Sequence, residues 1–209
     1  MLAAVTVLLL MGCDQLLAQI SSADNLLYSD SFTPGESGRW RIDGDAVAWS
    51  ALMNSQLIIA VSEPQLVQYA TLDNRQFDDF VYEVDALFLD GDAANSYGVL
   101  FRMAGPDQFY RFELTGNGFF TVERHDGAGD WTRLIPAWEE SSAINQGSGA
   151  SNRLRVAASG DQLKFAINGQ IVAELQDSAY AQGSIGLDAG TFSRAGVQVA
   201  FDNLVVLRP

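Results

Sequence analysis

From Tyr28 to the end of the chain, apolar and polar residues alternate in short runs, and each run stops at a turn residue. Period-two alternation over four to ten residues marks half-buried β-strands, whereas an amphipathic helix would repeat every three to four. The pattern predicts strands over 28–32, 47–53, 56–61, 66–72, 80–89, 97–103, 108–115 and 118–125. Further strands are predicted over 131–135, 152–159, 162–168, 171–175, 184–189 and 197–207. Between them lie Gly105-Pro106-Asp107, Gly116-Asn117-Gly118, Asp126-Gly127 and Asn168-Gly169. Such residues supply the positive φ angles of tight hairpins.

Alternation also assigns faces. Tyr82, Val84, Ala86 and Phe88 share one side of their run, with Glu83 and Asp85 on the other. Tyr97, Val99, Phe101 and Met103 oppose Leu100 and Arg102; Tyr110, Phe112 and Leu114 oppose Arg111 and Glu113; Phe120 and Val122 oppose Thr121, Glu123 and His125. Four successive runs with one apolar and one charged side read as one sheet of a sandwich, packed on one face only. The expected fold is all-β, an antiparallel two-sheet jelly-roll β-sandwich spanning 28–209.

The chain begins differently. Residues 2–11 are uncharged and apolar, too short for a bilayer span and matched to the apolar core of an export signal. Leu10-Met11-Gly12-Cys13 resembles the bacterial lipobox, in which the cysteine becomes the lipidated N-terminus. One feature departs from an export signal: no Lys or Arg precedes Arg39. The expected organisation is a signal peptide over 1–12, a lipid-anchored tether over 13–27 from Cys13, and the sandwich. That places the protein outside the cytoplasm on the bacterial cell membrane. Cys13 is the sole cysteine, so no disulfide forms within the chain.

A net charge of −14 sets the surface against nucleic acid, whose binding requires Lys and Arg on phosphates. The same acidity is compatible with calcium, which takes oxygen ligands. A single histidine and a single cysteine leave no zinc set and no convincing Ser-His-Asp set.

Asn95-Ser96-Tyr97-Gly98-Val99-Leu100-Phe101-Arg102 and Phe109-Tyr110-Arg111-Phe112-Glu113-Leu114 resemble central strands of the concanavalin A-like lectin/glucanase superfamily. Asn152-Arg153-Leu154-Arg155-Val156, Gly183-Ser184-Ile185-Gly186-Leu187 and Val199-Ala200-Phe201-Asp202-Asn203-Leu204 fit the same pattern. Laminin-G-like and 3-keto-disaccharide hydrolase-like domains are the nearest look-alikes. The resemblance implies a jelly roll, a fold that hosts lectins, hydrolases and adhesion modules alike.

Related glucanases carry Glu-x-Asp-x-x-Glu on one strand. Here Glu83-Val84-Asp85 supplies two acids, and Phe88 replaces the last. Retaining hydrolysis needs both carboxyls, so that chemistry is not expected. Asn95 to Arg102 resembles the Asn-Ser-Gly…Arg segment of the 3-keto-disaccharide hydrolases, with Tyr97 inserted before Gly98.

The leading expectation is a non-catalytic module for a carbohydrate ligand. A glycan or 3-keto-disaccharide hydrolase and a protein-binding adhesion module stay open beside it. Glu83, Asp85, Arg102, Arg111, Glu113 and Glu123 form the expected charged binding face, since guanidinium and carboxylate groups complement hydroxyls. Trp131 and Trp138 are candidates for stacking on a sugar ring. Asp30 and Asp202, in the first and last strands, are the candidate ligands of a structural calcium that the resemblance suggests near the chain ends. Ordinary cross-strand ion pairs and turn-capping aspartates are the plainer accounts of the same residues.

Overall fold

The computed structural model describes residues 25–209, and in it the alternating runs become antiparallel strands. In chain order they are β1 (Leu26–Asp30), β2 (Trp40–Arg41), β3 (Ala48–Met53), β4 (Gln56–Val61), β5 (Val67–Leu72), β6 (Phe80–Gly91), β7 (Ser96–Gly105) and β8 (Gln108–Thr115). They continue as β9 (Phe119–Asp126), β10 (Trp131–Arg133), β11 (Glu139–Glu140), β12 (Ser151–Ser159), β13 (Gln162–Ile167), β14 (Gln170–Gln176), β15 (Ser184–Gly190) and β16 (Val197–Leu207). No helix occurs among the described residues. Cys13, the expected signal peptide and most of the expected tether lie outside them.

Two sheets stack as a jelly-roll sandwich. The first runs β14-β13-β12-β6-β16-β4-β3, with β1 also on β16; the second runs β10-β9-β8-β7-β15-β5-β2, with β11 also on β9. Between them lies the expected core. Tyr82, Val84, Ala86 and Phe88 come from one sheet; Val99, Phe101, Tyr110, Phe112, Phe120 and Val122 come from the other. Phe112 and Phe101 meet Phe165 of β13 across the middle, at ring-centroid distances of 5.0 and 5.9 Å.

The structure corrects the reading of β6 to β9 as one sheet. β6 sits between β12 and β16 in the first sheet, while β7, β8 and β9 are neighbours in the second. The chain changes sheet over 92–95, where the Asn95 amide donates to Arg194 O and Gly196 O, at 3.0 and 2.8 Å. Alternation carries no signal for this crossing, because strands of both sheets point apolar residues inward and charges outward. Glu83 and Asp85 therefore face out of the opposite side of the sandwich from Arg111, Glu113 and Glu123.

Arg102 is the second correction. The ladder between β7 and β8 shifts register between Phe101 and Gly105, and Arg102 takes a φ of 47°. Such a bulge turns later residues to the other face. Arg102 is fully buried, and Met103 moves to the rim of a cleft. The Arg102 guanidinium donates to Asp78 O (3.1 Å), Gly160 O (2.7 Å) and Tyr180 O (3.2 Å), and meets Asp79 Oδ1 at 3.2 Å. It ties three loops together and does not reach over open sheet.

Candidate functional site

The outer face of the second sheet carries its polar residues in cross-strand rows. One row runs Arg133, Glu123, Arg111, Leu100, Gly186, Thr71 and Arg41 across seven strands. The next runs Thr121, Glu113, Gly98, Asp188 and Tyr69. A third brings Trp131 beside His125 and Phe109.

Arg111 is the hub. Its Nη2 donates to Glu123 Oε2 at 2.9 Å, its Nε lies 3.1 Å from Glu113 Oε2, and its Nη1 lies 3.7 Å from Asp188 Oδ2. The Trp131 ring covers it at 4.3 Å, a cation–π contact. Burial works against the Arg111 charge, but Glu113, Asp188 and Glu123 hold its pKa above the ordinary value. Glu113 and Asp188 lie wholly buried beneath. Ser96 Oγ donates to Glu113 Oε1 at 2.8 Å. Burial pushes both carboxyls up, Asp188 well above the usual range, and the negative charge of Glu113 adds to the effect on Asp188.

Beside this hub opens a cleft of about 370 Å³. Leu100, Leu72, Met103 and Phe109 give it apolar walls, and Arg41 and Gln68 give it polar edges. Tyr69 and Phe109 meet edge to face at 6.1 Å. Burial, then the charge of Asp188, pushes the Tyr69 hydroxyl up to about 12, so it stays a neutral donor. An apolar cleft with a few convergent polar groups is the usual form of a small-molecule site.

Of the expected site residues, this face gathers Arg111, Glu113, Glu123 and Trp131. Glu83 and Asp85 are spent on the far side. Asp85 takes a two-pronged ion pair from Arg153, at 2.7 and 2.8 Å, and Glu83 pairs with Arg155. Trp138 lies away from Trp131. It precedes Glu139, which pairs with Phe120, whereas Trp131 pairs with His125. Five residues of strand separate those positions by about 17 Å. Trp138 instead meets Phe192, at 5.8 Å.

Asp30 is buried and turns both oxygens inward. Oδ1 accepts from Phe32 N, and Oδ2 accepts from Tyr28 Oη, Ser37 Oγ, Gly38 N and Trp40 Nε1. Asp202 sits opposite Asp85 and accepts from its own neighbour, Asn203 N, at 2.7 Å. No group of three or more His, Cys, Asp or Glu suited to a metal occurs among the described residues.

Sequence reasoning missed Asp188, Tyr69 and Phe109. Asp188 has a signal in retrospect: it is the one acid in Ser184–Gly190, placed in step with Gly186 and Gly190. A charge among outward glycines marks a position where other side chains converge.

Solved structures share the fold at low identity. The carbohydrate-binding module CBM66 from Bacillus subtilis is 16% identical with a TM-score of 0.66, over 81% of this chain and 96% of that one. A laminarinase catalytic domain from Thermotoga maritima is 12% identical with a TM-score of 0.63, over 88% and 98%. A Bacillus licheniformis β-glucanase is 9% identical with a TM-score of 0.62, over 87% and 97%. No curated protein matches the chain. The model of the 3-keto-alpha-glucoside-1,2-lyase-like domain matches residues 35–207, nearly all of the sandwich, and the chain belongs to that family.

Proposed function

We propose that the protein is an exported lipoprotein that binds a carbohydrate on the outer face of its second sheet, at Arg111 and the adjoining cleft. The observation that carries this reading is the Arg111 hub: a guanidinium stacked under an exposed tryptophan, beside an apolar-walled cleft. Trp131 offers a ring face for the C–H side of a sugar, and the polar rim offers partners for hydroxyls. Family membership and the name of the Bacillus subtilis module support the ligand class.

The test is a glycan array with the soluble sandwich, then calorimetry on the tightest hit with Arg111→Ala and Trp131→Ala. Losing a hydrogen bond to a charged group weakens affinity about 10- to 150-fold. Arg111→Ala is expected in that range. Trp131→Ala, a change at an exposed ring, keeps the fold and loses affinity as well. A hit untouched by both variants moves the site elsewhere.

Family membership favours a second reading, cleavage of a 3-keto-glucoside. In a 1,2-elimination the C2 proton goes to a base, the C1–O glycosidic bond breaks with the aglycone leaving as an alcohol, and the C1–C2 double bond formed is conjugated with the C3 ketone. Ultraviolet absorbance growing in a mixture of the protein and a 3-keto-glucoside would favour cleavage over plain binding.

The anchor is tested separately. A fatty-acid probe is expected to label the wild type in vivo and not Cys13→Ser, which also leaves the membrane fraction. Label retained by Cys13→Ser excludes lipidation there.

A further inference from the structure

Glu113 on β8 and Asp188 on β15 are separated by one strand, and the residue between them in the row is Gly98. A Cβ at Gly98 would collide with the Phe112 backbone, so this position stays without a side chain. The two acids face each other over that gap, each within side-chain hydrogen-bonding reach of the other. Both are completely buried. Neither Asp188 oxygen has a hydrogen-bond donor, nor does Glu113 Oε2, and the nearby Arg111 Nε is aimed at none of them well enough to form a bond. Two ionised carboxylates are acceptors only, and such a contact would be repulsive and unsatisfied on both sides. One proton between them turns one acid into a donor for the other and removes the conflict.

We propose that Glu113 and Asp188 share a single proton across Gly98, that the one negative charge left on the pair together with Glu123 still balances Arg111 and Arg133, and that this face, having no surplus positive charge, selects uncharged sugars over acidic ones. The selectivity rests on the carbohydrate reading; the shared proton does not. The groups facing the pair are Arg111 on the strand of Glu113, Glu123 on β9, Ser96 on β7, Tyr69 on β5 and, through the core, Tyr82. With one proton held, Arg111 and Arg133 face two negative charges, one on Glu123 and one on the pair. At the cleft rim, Arg41 already pairs with Asp73 at 3.3 Å, next to Asp43. A carboxylate or sulfate entering here finds its cations already neutralised and repulsion from several acids. Hydroxyl groups, acting as donors and acceptors at no net charge, find partners on both signs.

Infrared spectroscopy without any ligand reads the proton directly. At neutral pH the wild type is expected to show the carbonyl band of a protonated carboxylic acid, lost in Asp188→Asn and in Glu113→Gln. Two variants are used so that one failing to fold does not decide the result. No such band in the wild type, or its survival in both folded variants, overturns the shared proton. Selectivity is read by calorimetry with matched neutral and glucuronate-terminated gluco-oligosaccharides. The neutral member is expected to bind at least about tenfold more tightly. Asp188→Asn keeps that preference, because asparagine matches the protonated acid in charge, and the double variant with Glu113→Gln narrows it. Equal affinity for both oligosaccharides in the wild type overturns the selectivity. Binding of neither, with the infrared band intact, sinks the carbohydrate reading and its selectivity and leaves the shared proton standing.

Discussion

Arg102→Ala is expected to destabilise the sandwich by about 3–5 kcal/mol, since it empties a fully buried site of a long side chain and removes the hydrogen bonds made there. Asp78 O, Gly160 O and Tyr180 O each lose a donor, and the loops that carry them lose their common tie. Burial lowers the pKa of Arg102, with Asp79 opposing, so the group lives on its hydrogen bonds and not on its solvation. Lysine is no substitute, since one ammonium cannot fan out to three carbonyls as a planar guanidinium does. Arg102→Lys is expected to recover only part of the loss. Denaturant unfolding checks this through the midpoint at constant slope. A loss under about 1 kcal/mol would mean that the three loops hold without it. None of the hydrogen bonds of Arg102 goes to Arg111 or to its acids, so sugar affinity measured on the folded fraction of the same variant is expected to fall less than in Arg111→Ala.

That contrast shows which part of the molecule is legible in a sequence. Alternation found the strands and the inward residues, because each side chain's face follows from period two and nothing else. Phe101, Phe112, Phe120 and Val84 are core for that reason. It found Arg111, Glu113 and Glu123 together because they sit on adjacent strands joined by a short hairpin. It misplaced Glu83 and Asp85, since which sheet a strand joins depends on contacts far along the chain, such as those of Asn95 with 194–196. It misplaced Arg102 because a bulge breaks the count, and no local signal distinguishes a bulged arginine from an outward one. It missed Asp188 because its partners, Glu113 and Arg111, lie more than seventy residues away and meet it only once β15 docks on β7. The strands β2 and β11, two residues each, carry too few positions for alternation to register.

Asp30→Ala is expected to cost about 3 kcal/mol, with Asp30→Asn costing less. Five donors converge on this carboxylate, among them two backbone amides and the Trp40 indole, whose ring also packs on Phe32 at 5.5 Å. Hydrogen bonds to a charged acceptor are each worth about 1.5–3 kcal/mol, and they do not add in full within one cluster. Burial pushes the Asp30 pKa up, but Tyr28, Gly38, Trp40 and Phe32 outweigh it, and the net direction is down. The linkage then has a definite sign. A carboxyl whose folded pKa is depressed contributes stability above its unfolded value, about 3.9, and that contribution is lost as pH falls through the folded value. Asp188 has the opposite sign: its raised pKa contributes in acid and is lost as pH rises through the folded value. Thermal melting of Asp30→Asn across the acid range is therefore expected to show a shallower decline than wild type, whereas Asp188→Asn is expected to remove a loss of stability that sets in as pH rises above the unfolded value of about 3.9. Equal acid slopes for Asp30→Asn and wild type would place the Asp30 network outside the folding equilibrium. The same melts, run with calcium and with chelator, decide whether Asp30 has a second use. A calcium bound only to the folded chain raises the melting temperature by mass action. Such a metal would have to replace donors that Asp30 already holds, so a rise that vanishes in Asp30→Asn is the one result that puts calcium on this carboxylate.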